Sequence, residues 1–146
     1  MASLELTGFE ELEEAFRTIA NIPDSVKVDA LNSMAAVAAE KIRSQGESMG
    51  VKDPESSVHI LDKISTRSKA KTNEFGGYKY ITFTGSHTNS KGKKRRNAEI
   101  AFINEYGKRG QPARPFIETA LKRYSDEIAA PGLRALGEWM ENNFHE

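Results

Sequence analysis

Apolar residues at helical spacing predict an amphipathic helix over residues 7–21. Glutamates crowd its first turns, where the helix dipole favours acidic groups, and Thr7 with Glu10 has capping-box spacing. The apolar face consists of Phe9, Leu12, Phe16 and Ile19. We interpret this helix either as a core element with a solvated acidic face or as an acidic surface that docks on a basic neighbour.

A longer helix is predicted to follow, capped by Asp24 or Ser25 and ending near Gln45 or Met49. One side of it is lined by Leu31, Ala35, Ala38, Ile42 and Gln45. Alanines keep the helix narrow, so another element can approach closely and gain van der Waals contacts along its length.

Three strands are predicted in the middle of the chain, over residues 58–66, over residues 78–84 and in the apolar run that ends at residues 105–107. The alternation in the first is imperfect, and a helical turn at its start is the alternative. In that third run, Ala98, Ile100 and Phe102 recur at every second position, which is the period of a strand with one buried face. Residues 67–75 and 85–97 are polar and are predicted to be loops. Because the strands are consecutive, we expect an antiparallel meander.

The last predicted helix begins at Pro115, which suits a first helical turn because its missing N–H costs nothing there. A stripe of Phe116, Ala120, Tyr124 and Ile128 lies on one side of it. Pro131 and Gly132 are expected to kink or break this helix, leaving residues 131–146 as a C-terminal helical extension. The predicted fold is a single α+β domain over residues 1–146, with a small antiparallel sheet of about three strands packed by the long alanine-rich helix and a C-terminal helix.

Composition narrows the class of protein. The chain has 146 residues and no cysteine, which excludes disulfides and thiolate zinc sites. No apolar run approaches the roughly 20 residues that a membrane span needs, and no secretory signal peptide is expected. We therefore expect no membrane partner.

The formal net charge of zero conceals a strong segregation of charge along the chain. Residues 1–66 carry a net charge of −6, residues 67–96 carry +8 and residues 97–146 carry −2. Such a distribution suits self-assembly, because the basic part of one copy can meet the acidic part of another.

No pattern of reactive residues indicates an enzyme. His59, His87 and His145 are far apart, and no metal-ligand, phosphate-loop or nucleophile-elbow motif is present. We predict no catalytic, metal-binding or cofactor-binding residues. The carboxylates of Glu99, Glu105 and Glu118 are interpreted as groups of a solvated strand face or as salt-bridge partners.

The strongest local signal is a basic loop that contains Lys91, Lys93, Lys94, Arg95 and Arg96. These cations repel one another unless anions or acidic groups meet them. Three interpretations stay open: a solvated hairpin loop, a contact for an acidic surface on a neighbouring subunit, or a loop that contacts DNA phosphates in a non-specific, salt-sensitive way. Arg114 is interpreted either as a loop or helix-start arginine or as one partner of a buried or interfacial ion pair.

Two runs, AFINEYG at residues 101–107 and QPARPFI at residues 111–117, resemble the signature of a phage tail-component family. These are neck, tail-completion or head–tail joining minor tail proteins of tailed bacteriophages and prophages. The order of elements is also similar, although the basic loop is long and residues past Pro131 do not map onto the family.

The resemblance implies a non-enzymatic structural virion protein at the head–tail junction, without cofactors, assembled in the bacterial host cytoplasm. It implies a homo-oligomeric ring, a hexamer or dodecamer, that docks on head-connector and tail-tube or terminator proteins around a channel for passing DNA. The residues that would shape the signature loop and anchor the last helix on the sheet are Tyr106, Gly107, Pro112, Arg114, Pro115 and Phe116. The alternative function is a small non-specific nucleic-acid-binding protein that uses the basic loop over residues 91–96.

Overall fold

A computed structural model describes residue 17 and residues 21–51, 55, 59–74 and 76–143. The predicted helix over residues 7–21 therefore lies outside the described residues, except for Arg17, which is helical, and Asn21. The described part of the chain belongs to the α+β class, as predicted, with four α-helices and small antiparallel sheets of two strands each.

The long alanine-rich helix is confirmed as α1, Asp24–Ser48. Its buried residues include Ala35, Ala38, Ile42 and Gln45, as the pattern predicted. The prediction of its cap was wrong: Pro23 occupies the N-cap position, and no side chain caps this end. The N–H groups of Val26 and Lys27 instead donate to the Pro23 carbonyl.

The strands of the described residues form three separate two-stranded antiparallel sheets, so the prediction of one three-stranded meander was wrong. The pairs are β1 (Ile64–Ser65) with β4 (Thr82–Phe83), β2 (Lys71–Asn73) with β3 (Gly76–Tyr78), and β5 (Ser86–Thr88) with β6 (Lys94–Arg96). Two of these pairs lie partly or wholly in segments that we predicted as loops. Short ladders of this kind leave little alternating pattern in the sequence.

Within the predicted first strand, Ile60–Lys63 form a 3-10 helix, which agrees with the alternative of a helical turn, and only Ile64–Ser65 form a strand. Ile60 and Leu61 are both buried although they are neighbours in sequence. A strand sends successive side chains to opposite faces, so it could not bury both against one core.

The predicted third strand is a helix, α2 (Asn97–Tyr106). Its buried residues, Asn97, Ile100, Ala101, Asn104 and Glu105, follow the helical period. Three of these five are polar, so the buried face carries little hydrophobic signal. Ala98, Ile100 and Phe102 recur at every second position, so the apolar residues of this segment match the period of a strand as well as that of a helix.

The predicted C-terminal helix is present as two helices, α3 (Phe116–Arg123) and α4 (Ser125–Asn143), separated at Tyr124. Of the predicted kink or break at Pro131, the break was wrong, because α4 continues through this proline. Gly132 is buried against α1, and a Cβ atom there would lie 2.8 Å from Met34 Cγ. This close packing of α4 along α1 offsets the backbone hydrogen bond that Pro131 cannot make.

A salt bridge and a buried core complete the packing. Lys41 of α1 lies 2.7 Å from the Glu127 carboxylate of α4, and this hydrogen bond raises the pKa of Lys41.

The core lies between the second half of α1, the 3-10 helix, α2 and α3. It comprises Ile42, Val51, Ile60, Leu61, Ile100, Ala101, Phe116 and Ala120. None of the described helices has the length and hydropathy to cross a membrane.

Candidate functional site

The two runs that carry the resemblance form one junction, in which α2 ends, the chain turns and α3 begins. The carboxylate of Glu105 lies at its centre and is largely buried. Glu105 Oε2 accepts a hydrogen bond from the Ile117 N–H at 2.8 Å, and Oε1 accepts one from the Glu118 N–H at 2.9 Å. One acidic side chain of α2 therefore caps the first turn of α3, where the helix dipole favours negative charge.

Gly107 closes α2 in a conformation that a side chain would strain. Its φ is 77° and its ψ is 173°. A Cβ atom at Gly107 would lie 2.8 Å from the Ala113 nitrogen, so the returning chain leaves no room for one. Between these residues, Lys108 and Gln111 exchange two backbone hydrogen bonds of 2.9 Å and form a tight turn. The glycine lets the chain reverse directly at the helix end.

Arg114 connects the junction to both neighbouring helices. Its N–H donates to the Asn104 carbonyl at 2.5 Å, and its Nη1 donates to the Gly50 carbonyl at 3.3 Å, just beyond α1. Arg114 is half-buried and makes no salt bridge with any acidic residue in the described ranges. These contacts match the helix-start interpretation, and a buried ion pair within the described ranges is not formed. The interpretation as one partner of an interfacial ion pair stays a prediction.

Phe116 anchors the start of α3 in the core. Its side chain is fully buried, and its ring meets the ring of Phe83 edge-on with centroids 6.0 Å apart. Pro115 precedes it at the N-cap position. The remaining members of the predicted signature loop, Tyr106 and Pro112, are exposed. The signature residues thus divide into a packed group and two residues at the surface.

The basic loop is an ordered hairpin, β5–β6, rather than an irregular loop. Asn89 organises its tip, because its Oδ1 accepts hydrogen bonds from the N–H groups of Lys91 at 3.1 Å and Lys93 at 2.8 Å. Glu55 holds the tip from outside: its carboxylate accepts from Asn89 Nδ2 at 2.9 Å and from Lys91 Nζ at 2.5 Å. An acidic group therefore meets the cluster within the same chain.

The two faces of this hairpin differ in charge and exposure. His87 and Arg95 are paired across the ladder on the face towards the body, where Arg95 Nη1 bonds to Glu99 Oε1 at 3.0 Å. Lys94 and Arg96 lie on the other face and are exposed, as is Lys93 beside them. The salt bridges of the described residues engage Lys91 and Arg95 but not these three cations. The hairpin therefore presents three exposed cations, Lys93, Lys94 and Arg96, of which Lys94 and Arg96 share one face of the ladder. We call these three cations the outward basic face.

Asn97 fixes the hairpin to the first turn of α2. Its Nδ2 donates to the Thr84 carbonyl at 2.7 Å, so its Oδ1 is the acceptor towards His87 Nδ1, also at 2.7 Å. This arrangement requires that His87 carry a proton on Nδ1. The histidine therefore has a packing role that holds the base of the hairpin.

Sequence reasoning missed three residues that build this region: Glu105, Asn89 and Asn97. For Asn89, a signal existed in the four polar residues Asn89–Gly92. Asparagine at the first position and glycine at the fourth are typical of a β-turn. For Glu105, no local signal existed, since the amides that it caps lie 12 and 13 residues further along the chain. Burial of Asn97 also depends on partners from another segment.

Within the described ranges, no group of three or more histidine, cysteine, aspartate or glutamate side chains could hold a metal ion. No known protein family, characterised protein or solved structure matches the chain.

Proposed function

We propose that this chain is a structural component of a bacteriophage or prophage virion, a neck or tail-completion protein at the head–tail junction. It acts without catalysis, by self-association into a ring and by docking on the connector and tail proteins above and below. The proposal begins from the resemblance of residues 101–107 and 111–117 to the phage tail-component signature. The structure supports it because those residues form the junction between α2 and α3.

The observation that carries the proposal is the interlocked junction. Glu105 caps α3, the tight turn follows Gly107, and Phe116 is fully buried at the start of α3. The signature residues thus set the angle between two helices, which is a geometric task rather than a chemical one. A rigid junction of this kind suits a subunit that must present its surfaces at fixed positions in a ring.

The distribution of charge supports association between copies. The outward basic face of the hairpin projects from a chain whose first 66 residues carry a net charge of −6. Opposite charges on one molecule attract a second copy head-to-tail, and a head-to-tail contact with a suitable rotation closes into a ring. Contacts between exposed charges weaken as salt screens them.

We expect the purified chain to self-associate at low salt and to dissociate as the salt concentration rises. The measurement is molar mass by light scattering over a range of protein concentrations, at about 50 mM and about 500 mM salt, which changes the screening length several-fold. The matched variant is Lys93→Ala/Lys94→Ala/Arg96→Ala, which removes the outward basic face and retains the two internal salt bridges.

In this experiment, association that is identical in the variant and insensitive to salt would contradict the electrostatic basis of the assembly. A mixture of the protein with head-connector rings then tests docking separately, because docking to a neighbouring ring needs no self-association in solution.

A second candidate function, non-specific binding of nucleic acid, is supported by the same outward basic face. Lys93, Lys94 and Arg96 are exposed on a hydrogen-bonded hairpin, which is suitable for contacts to phosphates. We expect weak binding to duplex DNA that falls steeply with salt, because each phosphate contact releases counterions. Mobility-shift titrations of wild type and of Lys93→Ala/Lys94→Ala/Arg95→Ala/Arg96→Ala test it, and equally negligible binding by both at low salt would remove this function.

A further inference from the structure

The outer face of α2 carries an exposed aromatic pair. Phe102 is 62% exposed and Tyr106 is 70% exposed, one helical turn apart. Their rings contact each other, with centroids 4.7 Å apart and planes inclined by 49°. Large apolar side chains grouped on a surface in this way mark sites of interaction more often than single exposed residues do.

Cations lie at both ends of this helix. The outward basic face of the hairpin immediately precedes α2, and Lys108 and Arg109 immediately follow it, both exposed. A ten-residue helix is about 15 Å long, so the aromatic pair lies between two basic groups within a short distance. We call the aromatic pair with Lys108 and Arg109 the α2 patch.

The α2 patch fits an apolar stripe bordered by acidic residues, and the sequence contains one such segment. Residues 1–21 contain five glutamates and one arginine. The helix predicted over residues 7–21 would be about 22 Å long, comparable with the patch and its flanking cations. The stripe of that predicted helix is Phe9, Leu12, Phe16 and Ile19.

Distance along the molecule selects a second copy as the donor of this segment. Residues 7–21 end three residues before α1, whose 25 residues span about 36 Å. The α2 patch belongs to the opposite end, because Arg114 bonds to Asn104 of α2 and to Gly50 just beyond α1. Ile19 is only five residues from Asp24, so it stays within about 18 Å of the start of α1. The stripe as a whole therefore cannot lie along the α2 patch of its own chain.

We propose that residues 7–21 of one copy dock on the α2 patch of the next copy, with the apolar stripe on Phe102 and Tyr106 and the glutamates facing the flanking cations. The contact is head-to-tail, so that each copy is both donor and acceptor, and repetition of it builds the ring. This inference rests on the proposed function and specifies the interface of its assembly.

The test uses two variants of the full chain that each remove one side of the contact. The acceptor variant is Phe102→Asp/Tyr106→Asp, and the donor variant is Leu12→Asp/Phe16→Asp. Each variant alone should have the molar mass of a single chain by light scattering at low salt, after nuclease treatment. A 1:1 mixture should form dimers and nothing larger, because one intact donor meets one intact acceptor.

Two controls identify what a loss of association means. The acceptor residues are exposed, so the acceptor variant should keep the thermal midpoint of the wild type. Leu133→Asp changes an equally exposed leucine, 67% exposed on α4, and should leave association unchanged. If Leu133→Asp alone abolishes association, the interface lies on α4 and this inference is wrong.

The remaining outcomes separate this interface from the proposed function. If both double variants assemble like the wild type, or if their mixture stays monomeric, the α2 patch is not the acceptor, although self-association stands. Assembly that nuclease treatment destroys shows that nucleic acid, and not a second copy, occupies the patch. A wild type that stays monomeric at high concentration and low salt overturns this interface, while docking on a connector ring still tests the virion function.

Discussion

Phe116→Ala is expected to lower the free energy of unfolding by about 3–5 kcal/mol, as truncation of a buried phenylalanine does when a cavity remains. The ring is fully buried and contacts Phe83, and it lies in the cluster that joins α1, α2 and α3. Backbone hydrogen bonds close to it, including the 2.7 Å bond from its N–H to the Arg114 carbonyl, limit how far the site can collapse. Urea denaturation at high salt, monitored by circular dichroism, measures the change.

Phe102→Ala is the matched control, because the same atoms are removed from a side chain that is 62% exposed. Its free energy of unfolding should change by no more than about 0.5 kcal/mol, as is usual for surface substitutions. Equal effects at the two positions would show that the ring of Phe116 does not hold α3 in place.

Glu105→Ala is expected to have the next largest effect, a loss of about 2–4 kcal/mol in the free energy of unfolding. The substitution removes two hydrogen bonds to a charged acceptor and leaves the N–H groups of Ile117 and Glu118 without it. It also removes the negative charge that interacts favourably with the N-terminus of α3. The measurement is urea denaturation under the conditions used for Phe116→Ala.

Two further variants show how much of the loss comes from the hydrogen bonds of Glu105 to α3 and how much from removing its bulk or its charge. Glu105→Gln keeps the shape and one acceptor oxygen, so its loss should fall between those of wild type and Glu105→Ala. Glu99→Ala removes a carboxylate of the same helix that pairs with Arg95 at the surface, so it should cost less than about 1 kcal/mol. If Glu105→Ala is as mild as Glu99→Ala, the hydrogen bonds to α3 contribute nothing measurable.

At the junction and the hairpin, the local sequence pattern predicted some features and not others. The pattern placed the start of the last helix at Pro115–Phe116, and α3 begins there. It assigned Glu105 to a solvated or paired carboxylate, whereas this residue caps a helix across a turn. The basic loop was recognised by composition, but its hairpin and its contact with Glu55, 36 residues from Lys91, could not be predicted from neighbouring residues.

The amino-acid sequence by itself determined the features that depend on nearby residues. These are the extent of α1, the helix after Pro115, the α+β class and the segregation of charge. Each of them follows from periodicity, from backbone preferences of proline or from a count of side chains. These preferences act between residues that are close in sequence, so they favour the same local structure in any fold that buries one face of the element.

The tertiary structure alone decided what depends on partners from distant segments. It made residues 97–106 a helix, because Asn97, Asn104 and Glu105 could be buried only where other segments supply hydrogen bonds. It allowed α4 to pass through Pro131, because packing on α1 offsets one lost hydrogen bond. A buried polar group is stable only with its partner in place, and the free energy of that partnership arises when the chain has folded.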